Sequence, residues 1–269
     1  MLVLELDCET IVKEELFMKL GAQFFTIREK NKTPEGLYRS FAEMKRIGYQ
    51  VVQMSAICQI EAERLKAFSE EFSLPITCTH SSPDRILNDT DALIKEHIIY
   101  GCPVIGMGSM PNEYRGSVEG ARKFLETYKD PIKRIEAAGL KFGYHNHAFE
   151  FDDLGGVCSY DILIEEAPTI DFILDTYWFK YAGRSYLDYI KLLGKDRLSN
   201  VHFKDMKTEP KGDICPCGEG VIDFAPVVTL CDELGIPNAL VEQDNAPKLG
   251  DEYEQMELSF NNLKHLFSL

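Results

Sequence analysis

Four side chains that can bind a metal ion each follow an apolar, strand-like segment. They are Glu150, Asp175, His202 and Glu242. Three carboxylates and one imidazole suit a divalent cation, and we expect one Mn²⁺, with Mg²⁺, Co²⁺ or Zn²⁺ as alternatives. An octahedral ion held in this way keeps positions open for a diol or hydroxyketone. Taken singly, each residue has a simpler explanation, such as a solvated acid or a hydrogen-bonded core histidine.

The segment 142–151 reads Phe-Gly-Tyr-His-Asn-His-Ala-Phe-Glu-Phe and adds His145, Asn146 and His147 to Glu150. Its aromatic residues and lack of helical period predict a buried strand. A buried polar group without a partner costs roughly 2 to 7 kcal/mol, so a fold gains nothing from four of them on one strand. A metal ion together with a polyol substrate would give all of them partners.

Four further residues are candidates for contact with a substrate. Lys204 lies two residues beyond His202 and so shares its face of a strand, where it neutralises a substrate oxygen or forms an ordinary ion pair. Trp178, the only tryptophan, suits an apolar wall against a sugar ring, or plain packing. His80 and Arg28 follow the third and first predicted strands, where substrate hydroxyls would lie.

The elements that position these residues alternate along the chain. Predicted strands cover residues 23–27, 51–54, 75–80, 103–107, 140–151, 170–175, 201–204 and 239–242, each followed by a helical segment. Eight such units predict an α/β protein, a single (β/α)8 TIM barrel in one domain over residues 1–269. A helix over residues 10–20, ended by Gly21, precedes the first strand, and residues 207–221 form a loop at the barrel mouth.

Composition and charge limit the classes of partner. The chain has 269 residues, 45% of them hydrophobic, and a formal net charge of −15, which disfavours nucleic acid and membrane surfaces. No apolar run approaches the ~20 residues that cross a bilayer, and the acidic first nine residues do not resemble a signal peptide. We therefore expect a cytoplasmic protein whose eight cysteines are reduced.

Five motifs resemble the sugar phosphate isomerase/epimerase family, of the xylose-isomerase-like TIM barrel superfamily. They are residues 144–151, 174–178, 201–205, 218–223 and 241–244, and the resemblance extends over nearly the whole chain. It implies one divalent metal ion held by Glu150, Asp175, His202 and Glu242. It also implies proton abstraction next to a carbonyl through a metal-stabilised enediolate, with Glu150 and Glu242 as acid and base. In another branch of the family, His145 or His147 would be the base.

Several alternatives remain at this stage. Trp178 stands where some members have a histidine, so their substrate does not transfer. The same metal site would serve a lyase that cleaves 3-keto-glycosides, including C-glycosides, by β-elimination, with a small partner subunit. A DNA-repair endonuclease of this barrel would need a cluster of several zinc ions with more histidine ligands and a basic face, whereas this chain has six histidines and a net charge of −15. A non-catalytic sugar-binding barrel would need no metal. With no basic cluster at a strand end, we expect a non-phosphorylated sugar; a homo-oligomer through exposed helices is compatible with the sequence.

Overall fold

The computed structural model of the protein describes residues 18–210, 212–267 and 269. Its central feature is a ring of eight parallel strands, which confirms the predicted TIM barrel. The barrel strands are β1 (Lys19–Gln23), β2 (Val51–Met54), β3 (Ile76–Thr79), β4 (Val104–Met107), β5 (Lys141–His145), β6 (Asp171–Asp175), β7 (Leu198–Phe203) and β10 (Asn238–Val241). A short antiparallel hairpin, β8 (Asp205–Met206) and β9 (Ile214–Cys215), lies outside the barrel sheet.

The strands pair in the order β3-β2-β1-β10-β7-β6-β5-β4. Between β3 and β4 the ladder is reduced to one parallel bridge, from Ser81 to Met107, in which Ser81 N donates to Gly106 O at 2.8 Å. β5, β6, β7 and β10, whose residues were predicted to bind metal, are consecutive neighbours. Their carboxyl ends therefore meet at one side of the barrel mouth.

Ten α-helices of the described chain surround the barrel. They are α1 (Pro34–Ile47), α2 (Ala62–Glu71), α3 (Pro83–Asn88), α4 (Thr90–Tyr100), α5 (Val118–Ala137), α6 (Ser159–Glu166), α7 (Thr176–Tyr181), α8 (Tyr186–Arg197), α9 (Ala225–Leu234) and α10 (Glu252–Leu263). The bounds of α1 follow from local sequence, since the Thr33 side chain accepts a hydrogen bond from Gly36 N and Gly48 ends the helix at a φ of 119°. Within the described residues, no helix combines the length and apolar character needed to span a membrane.

Inside the barrel, an apolar layer lies beneath a polar one. Val51, Cys78, Val104, Ile173 and Leu240 form an apolar cluster separate from the larger core between strands and helices. Because side chains alternate along a strand, the residue two places later also points inward, one layer nearer the mouth. At this upper level seven of the eight barrel strands carry a polar residue, and the seven are Gln23, Gln53, His80, His145, Asp175, His202 and Glu242.

The prediction for the start of the barrel was wrong. The first strand is β1, at Lys19–Gln23, and Phe24–Ile27 form a 3₁₀ helix instead of the strand expected at 23–27. Gly21 lies within β1 and ends no helix; residues 10–17 of the predicted helix lie outside the described part. A Cβ on Gly21 would come within 2.6 Å of side-chain atoms of both Val51 and Leu240. The glycine is therefore required by close packing inside the barrel.

The fifth strand is also shorter than the predicted 140–151. It ends at His145, and Phe149–Phe151 form a 3₁₀ helix. The carboxylate of Glu150 accepts a hydrogen bond from His147 N at 2.8 Å and so holds the chain in a turn. Phe151 then packs against Phe179, with ring centroids 4.5 Å apart. The aromatic residues that predicted a longer strand are thus buried by packing outside the barrel sheet.

Candidate metal centre

Four ligand atoms converge at the barrel mouth, from His145, Asp175, His202 and Glu242. One atom from each side chain lies within 4.8 Å of the others, and all four residues are buried. His145 Nε2 lies 3.3 Å from Asp175 Oδ2, and His202 Nδ1 lies 3.1 Å from Glu242 Oε2. Ligands that each lie about 2.0–2.2 Å from one ion are spaced roughly 3 to 4.4 Å apart. Both of the quoted distances fall in this range, so the group is suited to one divalent cation.

Hydrogen bonds behind the two imidazoles decide which nitrogen faces this group. His145 donates from Nδ1 to Gly108 O at 2.9 Å, which leaves the Nε2 lone pair towards Asp175. His202 donates from Nε2 to Gln53 Oε1 at 2.7 Å, which leaves its Nδ1 towards Glu242. An outer acceptor of this kind fixes the tautomer and orientation that a metal-ligating histidine needs. Burial lowers the pKa of His145 to about 3, so its ring is neutral at neutral pH.

Glu150, expected as the fourth ligand, is not brought to this group. Its Oε1 accepts a hydrogen bond from Tyr144 OH at 2.7 Å and its Oε2 accepts one from His147 N. The side chain is fully buried, and burial raises its pKa to about 7. Glu150 lies outside the group because β5 ends at His145. His145 therefore occupies the inward-facing position of the polar layer, and Glu150 lies in the turn that follows.

Lys204 is the cation of the site. Its ammonium lies 3.2 Å from Asp175 Oδ2, 2.8 Å from Glu242 Oε2 and 3.2 Å from Asp244 Oδ1. The side chain is 2% exposed. Burial alone would raise the pKa of Glu242, but the positive charge of Lys204 outweighs it and holds that pKa well below its usual range. Lys204 thus offsets part of the negative charge of the group. Of the two roles suggested by the sequence, contact with a substrate oxygen or an ion pair with an acid, the structure shows the ion pair.

Asp205, next in the chain, has a different role. Its carboxylate accepts four backbone hydrogen bonds, from Met206, Gly218, Gly220 and Ile222, at 2.8 to 3.0 Å. A Cβ on Gly220 would lie 2.3 Å from Asp205 Oδ1, so this close approach requires glycine. The carboxylate therefore fixes the loop that follows β7. That loop lies at the mouth as predicted, since Tyr177 OH donates to Gly212 O at 2.8 Å.

A row of rings extends from the group to the rim of the barrel. The His147 ring lies 4.9 Å from that of His145 and 5.1 Å from that of Trp178, between centroids. His147 Nδ1 and Trp178 Nε1 are buried and have no hydrogen-bond partner among the residues that the structure describes. Burial also lowers the pKa of His147 to about 3, so the ring is neutral. An unpaired buried polar atom costs about 1–3 kcal/mol, which a substrate oxygen at this position would recover.

His80 lies on the opposite side of the group, 5.0 Å from the His145 ring and 5.4 Å from the His202 ring. Gln23 Nε2 lies 3.4 Å from His80 Nδ1 and also donates to Glu242 Oε1 at 3.2 Å. Since the Gln23 amide nitrogen can only donate, the proton of the His80 ring is on Nε2. Within the described structure that Nε2 has no partner.

Arg28 is placed away from the ligand group. Its guanidinium donates to Phe25 O at 2.8 Å and to Asp244 O at 2.8 Å. These contacts hold the segment after β10, and with it the carboxylate of Asp244 that pairs with Lys204. The structure thus gives Arg28 a positioning contact where the sequence suggested contact with substrate hydroxyls.

Sequence reasoning missed two side chains that complete the site. Gln53 orients His202, and Gln23 contacts both His80 and Glu242. Asn146, already noted beside His145 in the sequence, accepts a hydrogen bond from Asp175 N at 3.0 Å through its Oδ1. The available signal was position: Gln23 and Gln53 are polar residues in otherwise apolar segments near strand ends. A search restricted to carboxylates and imidazoles passes over such amides.

Solved structures share this fold at low sequence identity. A sugar phosphate isomerase/epimerase from Parabacteroides distasonis is 18% identical, with a TM-score of 0.73, over 92% of this chain and 96% of that one. A D-allulose 3-epimerase from Methylomonas sp. is 15% identical, with a TM-score of 0.69, over 93% and 98%. The IolI protein, solved with a zinc atom, is 15% identical, with a TM-score of 0.71, over 93% and 98%. At these identities the likeness shows the fold.

The sequence itself identifies the family. No curated protein matches the chain. Residues 41–258, however, match the family described as xylose isomerase-like TIM barrel. This match covers most of the chain and includes all four residues of the ligand group. The protein therefore belongs to the xylose isomerase-like TIM barrel family.

Proposed function

We propose that this protein is a divalent-metal-dependent sugar isomerase or epimerase. The reaction removes a proton from the carbon next to a carbonyl and returns it to another carbon or to the opposite face. The observation that carries the proposal is the convergence of His145, Asp175, His202 and Glu242 at the barrel mouth. Similar structures that include a D-allulose 3-epimerase support the same class of reaction.

The four converging side chains would hold the metal ion. When bound, a divalent cation supplies Lewis acidity, which polarises a sugar carbonyl and acidifies the neighbouring C–H. The donor set of two imidazoles and two carboxylates suits Mn²⁺, Co²⁺ or Zn²⁺ better than Mg²⁺, which prefers oxygen ligands. Gly108 O and Gln53 Oε1 keep the imidazoles in the ligating tautomers.

Two side chains are suited to carry the proton. Glu242 stays ionised beside Lys204, and its Oε1 accepts a hydrogen bond from Gln23. His147 is neutral, and its Nδ1 has no partner within the described part of the chain. We assign removal of the proton to one of these and its return to the other. Glu150, expected from the family resemblance as acid or base, instead holds the His147 amide in place.

The remaining contacts favour an uncharged sugar. Lys204, the cation beside the ligand group, is already paired with Asp175, Glu242 and Asp244 and is not available to a phosphate. Trp178 and His147 form an aromatic wall against which one face of a sugar ring would pack. The unpaired nitrogens of Trp178, His147 and His80 would bond sugar hydroxyls.

Metal removal and return test the proposal. A cation at a hundredfold excess over its Kd stabilises the folded protein by about 2.7 kcal/mol, which raises Tm by about 5 to 10 °C for a domain of this size. We expect EDTA to lower Tm and abolish ketose isomerisation, and Mn²⁺ or Co²⁺ to restore both. Asp175→Ala should remove the response, while Asp213→Ala, an exposed carboxylate, should keep it. If the Tm of metal-free protein does not change when Mn²⁺, Co²⁺ or Zn²⁺ is added, the proposal is contradicted.

A second candidate uses the same proton abstraction but ends in elimination. If the sugar carries a group at the β-carbon and a keto group, removal of the proton expels that group, as in a lyase on 3-keto-glycosides. The observation that favours it is the Nε2–H of His80, which has no partner in the described structure and would donate a hydrogen bond to the departing oxygen of an O-glycoside. Incubation of the metal-loaded protein with a 3-keto-glycoside, including a C-glycoside, decides between them: free aglycone identifies the lyase.

A further inference from the structure

A large cavity opens beside the ligand group, between α2 and α4. Its volume is about 860 Å³. The segment after β2 and the start of α2 form one wall, and one face of α4 forms the other. Sites that take drug-sized ligands measure about 300–1,000 Å³. A free monosaccharide is smaller than such ligands and, bound at the metal group, would leave this cavity unfilled.

His80 connects the cavity to the ligand group. It lines the cavity, and its ring also contacts those of His145 and His202. The His80 Nε2–H is buried and has no partner among the described residues, so it is a hydrogen-bond donor at the boundary between the two spaces. A molecule with one part at the metal group and another in the cavity would pass this donor.

The lining indicates the chemistry of the occupant. The lining combines apolar side chains with hydroxyl groups; the former include Ile57, Ile60, Leu65 and Ile99, and the latter Ser55 and Ser82. This mixture suits a ring with one apolar face and a few polar substituents. The charged lining residues are four acids, Glu61, Glu63, Asp89 and Glu96, and two bases, Arg85 and Lys95, which gives a formal charge of −2. Arg85 is itself paired with Asp89 and Glu96.

We infer that the cavity is a subsite for the non-reacting part of an uncharged glycoside. This inference rests on the proposed function, because the reacting sugar would occupy the ligand group. The second ring lies between α2 and α4, and His80 Nε2–H donates to the oxygen that links the two rings. The negative lining disfavours a phosphate or another anion on the distal ring. The substrate class is thus a neutral glycoside whose reacting ring still carries the carbonyl that the proposed reaction needs, and not a phosphorylated sugar.

Calorimetry on the Mn²⁺-loaded protein tests the subsite. The probes are a panel of neutral aryl glycosides and disaccharides of the common hexoses, each compared with its free hexose. We expect at least one glycoside to bind about tenfold or more tightly than its hexose, which corresponds to about 1.4 kcal/mol. A preference for aryl glycosides identifies an aromatic distal ring, and one for disaccharides identifies a sugar. Equal binding of glycoside and hexose throughout the panel, or no binding of any glycoside, overturns the inference.

Two neighbouring residues of α4 provide a matched pair of variants. Ile99 lines the cavity, whereas Ile98 is 58% exposed on the outer surface. Ile99→Trp should narrow the cavity and remove the about tenfold advantage of the glycoside, while Ile98→Trp should keep it. Equal glycoside affinity in both folded variants counts against the subsite. If Ile99→Trp does not fold, Ala92→Trp on the same wall replaces it.

A chemical probe gives an independent readout. Cys58 lines the cavity and is half-buried, and the other six cysteines that the structure describes are buried. In a Cys8→Ser background, an alkylating reagent should therefore modify Cys58 first and block glycoside binding while the Mn²⁺-induced rise in Tm is retained. Unchanged glycoside affinity after complete modification would contradict the assignment.

The same measurements separate this inference from the proposed function. Ile99→Trp should keep the Mn²⁺ content and Mn²⁺-induced Tm rise of the wild-type protein, because the substitution does not touch the ligand group. If the wild-type protein shows no metal effect, the proposed function fails, and glycoside binding by Ile98→Trp and Ile99→Trp still decides about the cavity.

Discussion

On β6 and β10 the polar layer of the barrel carries the carboxylates Asp175 and Glu242, whereas the same layer on β1 and β2 carries the amides Gln23 and Gln53. The ligand half of the mouth, formed by β5, β6, β7 and β10, thus concentrates charge. The amide half, formed by β1, β2 and β3, is neutral, since burial lowers the pKa of His80 well below its usual range. The polar layer of the barrel therefore has a charged side, the ligand half, and a neutral hydrogen-bonding side, the amide half.

The contacts across the mouth explain why the two halves differ. Carboxylates crowded on all strands would repel one another without enough cations to pair them. Neutral amides avoid this repulsion and still bond the charged side: Gln53 accepts from His202, and Gln23 donates to Glu242. The amide half therefore orients the ligand half without adding to its charge.

The largest expected effect comes from breaking the ligand half. Asp175→Asn keeps the shape of the side chain but removes its charge, and we expect metal affinity to fall by more than about 100-fold, because even outer-shell partners contribute about 10- to 100-fold. Titration calorimetry with Mn²⁺ measures it. The exposed Asp213→Asn is the control. If Asp175→Asn still binds one equivalent with wild-type affinity, the charged half is not a metal site.

The next effect tests whether Glu150 lies outside the ligand half. The pKa of Glu150 is raised to about 7 in the folded protein, so the folded protein keeps a proton that the unfolded chain loses near pH 4.5. The free energy of unfolding therefore falls as pH rises from about 4.5 to about 7. Glu150→Gln should remove this loss, which is on the order of 3 kcal/mol for a shift of about two and a half units. Chemical denaturation of metal-free protein at about pH 4.5 and about pH 8 measures the difference.

Two further measurements accompany this variant. The exposed Glu219→Gln should keep the wild-type pH dependence of stability. Glu150→Gln should also keep its Mn²⁺ affinity, since His145 and not Glu150 belongs to the converging group. A loss of metal affinity as large as that of Asp175→Asn would return Glu150 to the ligand set.

A smaller effect is expected from the amide half. Gln53→Met preserves side-chain length but removes the acceptor for His202 Nε2, so the ligating tautomer is no longer fixed. Loss of such a partner lowers metal affinity by about 10- to 100-fold. The exposed Gln59→Met should leave Mn²⁺ affinity unchanged. If both substitutions have the same effect, the amide half does not orient the ligand half.

The smallest effect concerns the acid sensitivity of the amide half. Folded His80 stays neutral where the unfolded chain takes up a proton, so stability is lost as pH falls below about 6.5. His80→Phe should reduce that loss by up to about 1.4 kcal/mol per pH unit, measured by denaturation of metal-free protein at decreasing pH. The exposed His265→Phe should retain the wild-type slope. An unchanged slope in His80→Phe would show that the ring is not held neutral.

Much of the barrel follows from sequence because its signals are local. The alternation of strands and helices is read from neighbouring residues, and the structure confirms it. The first strand was predicted too late in the chain, because Gly21 was interpreted as the end of a helix. Its actual reason, contact with Val51 and Leu240, joins residues that are distant in sequence.

The sequence by itself determines which residue types stand at the carboxyl ends of β6, β7 and β10. Because side chains alternate between the two faces of a strand, it also determines that Asp175, His202 and Glu242 point into the barrel. Tertiary structure decided the fourth member. His145 and Glu150 are both fully buried or nearly so, but β5 ends at His145, and the turn held by Glu150 directs its carboxylate to Tyr144 and the His147 amide. The amides of β1 and β2 likewise acquire their roles only when the closed barrel brings them opposite the ligand half, because hydrogen bonds across a barrel depend on the register of strands far apart in the chain.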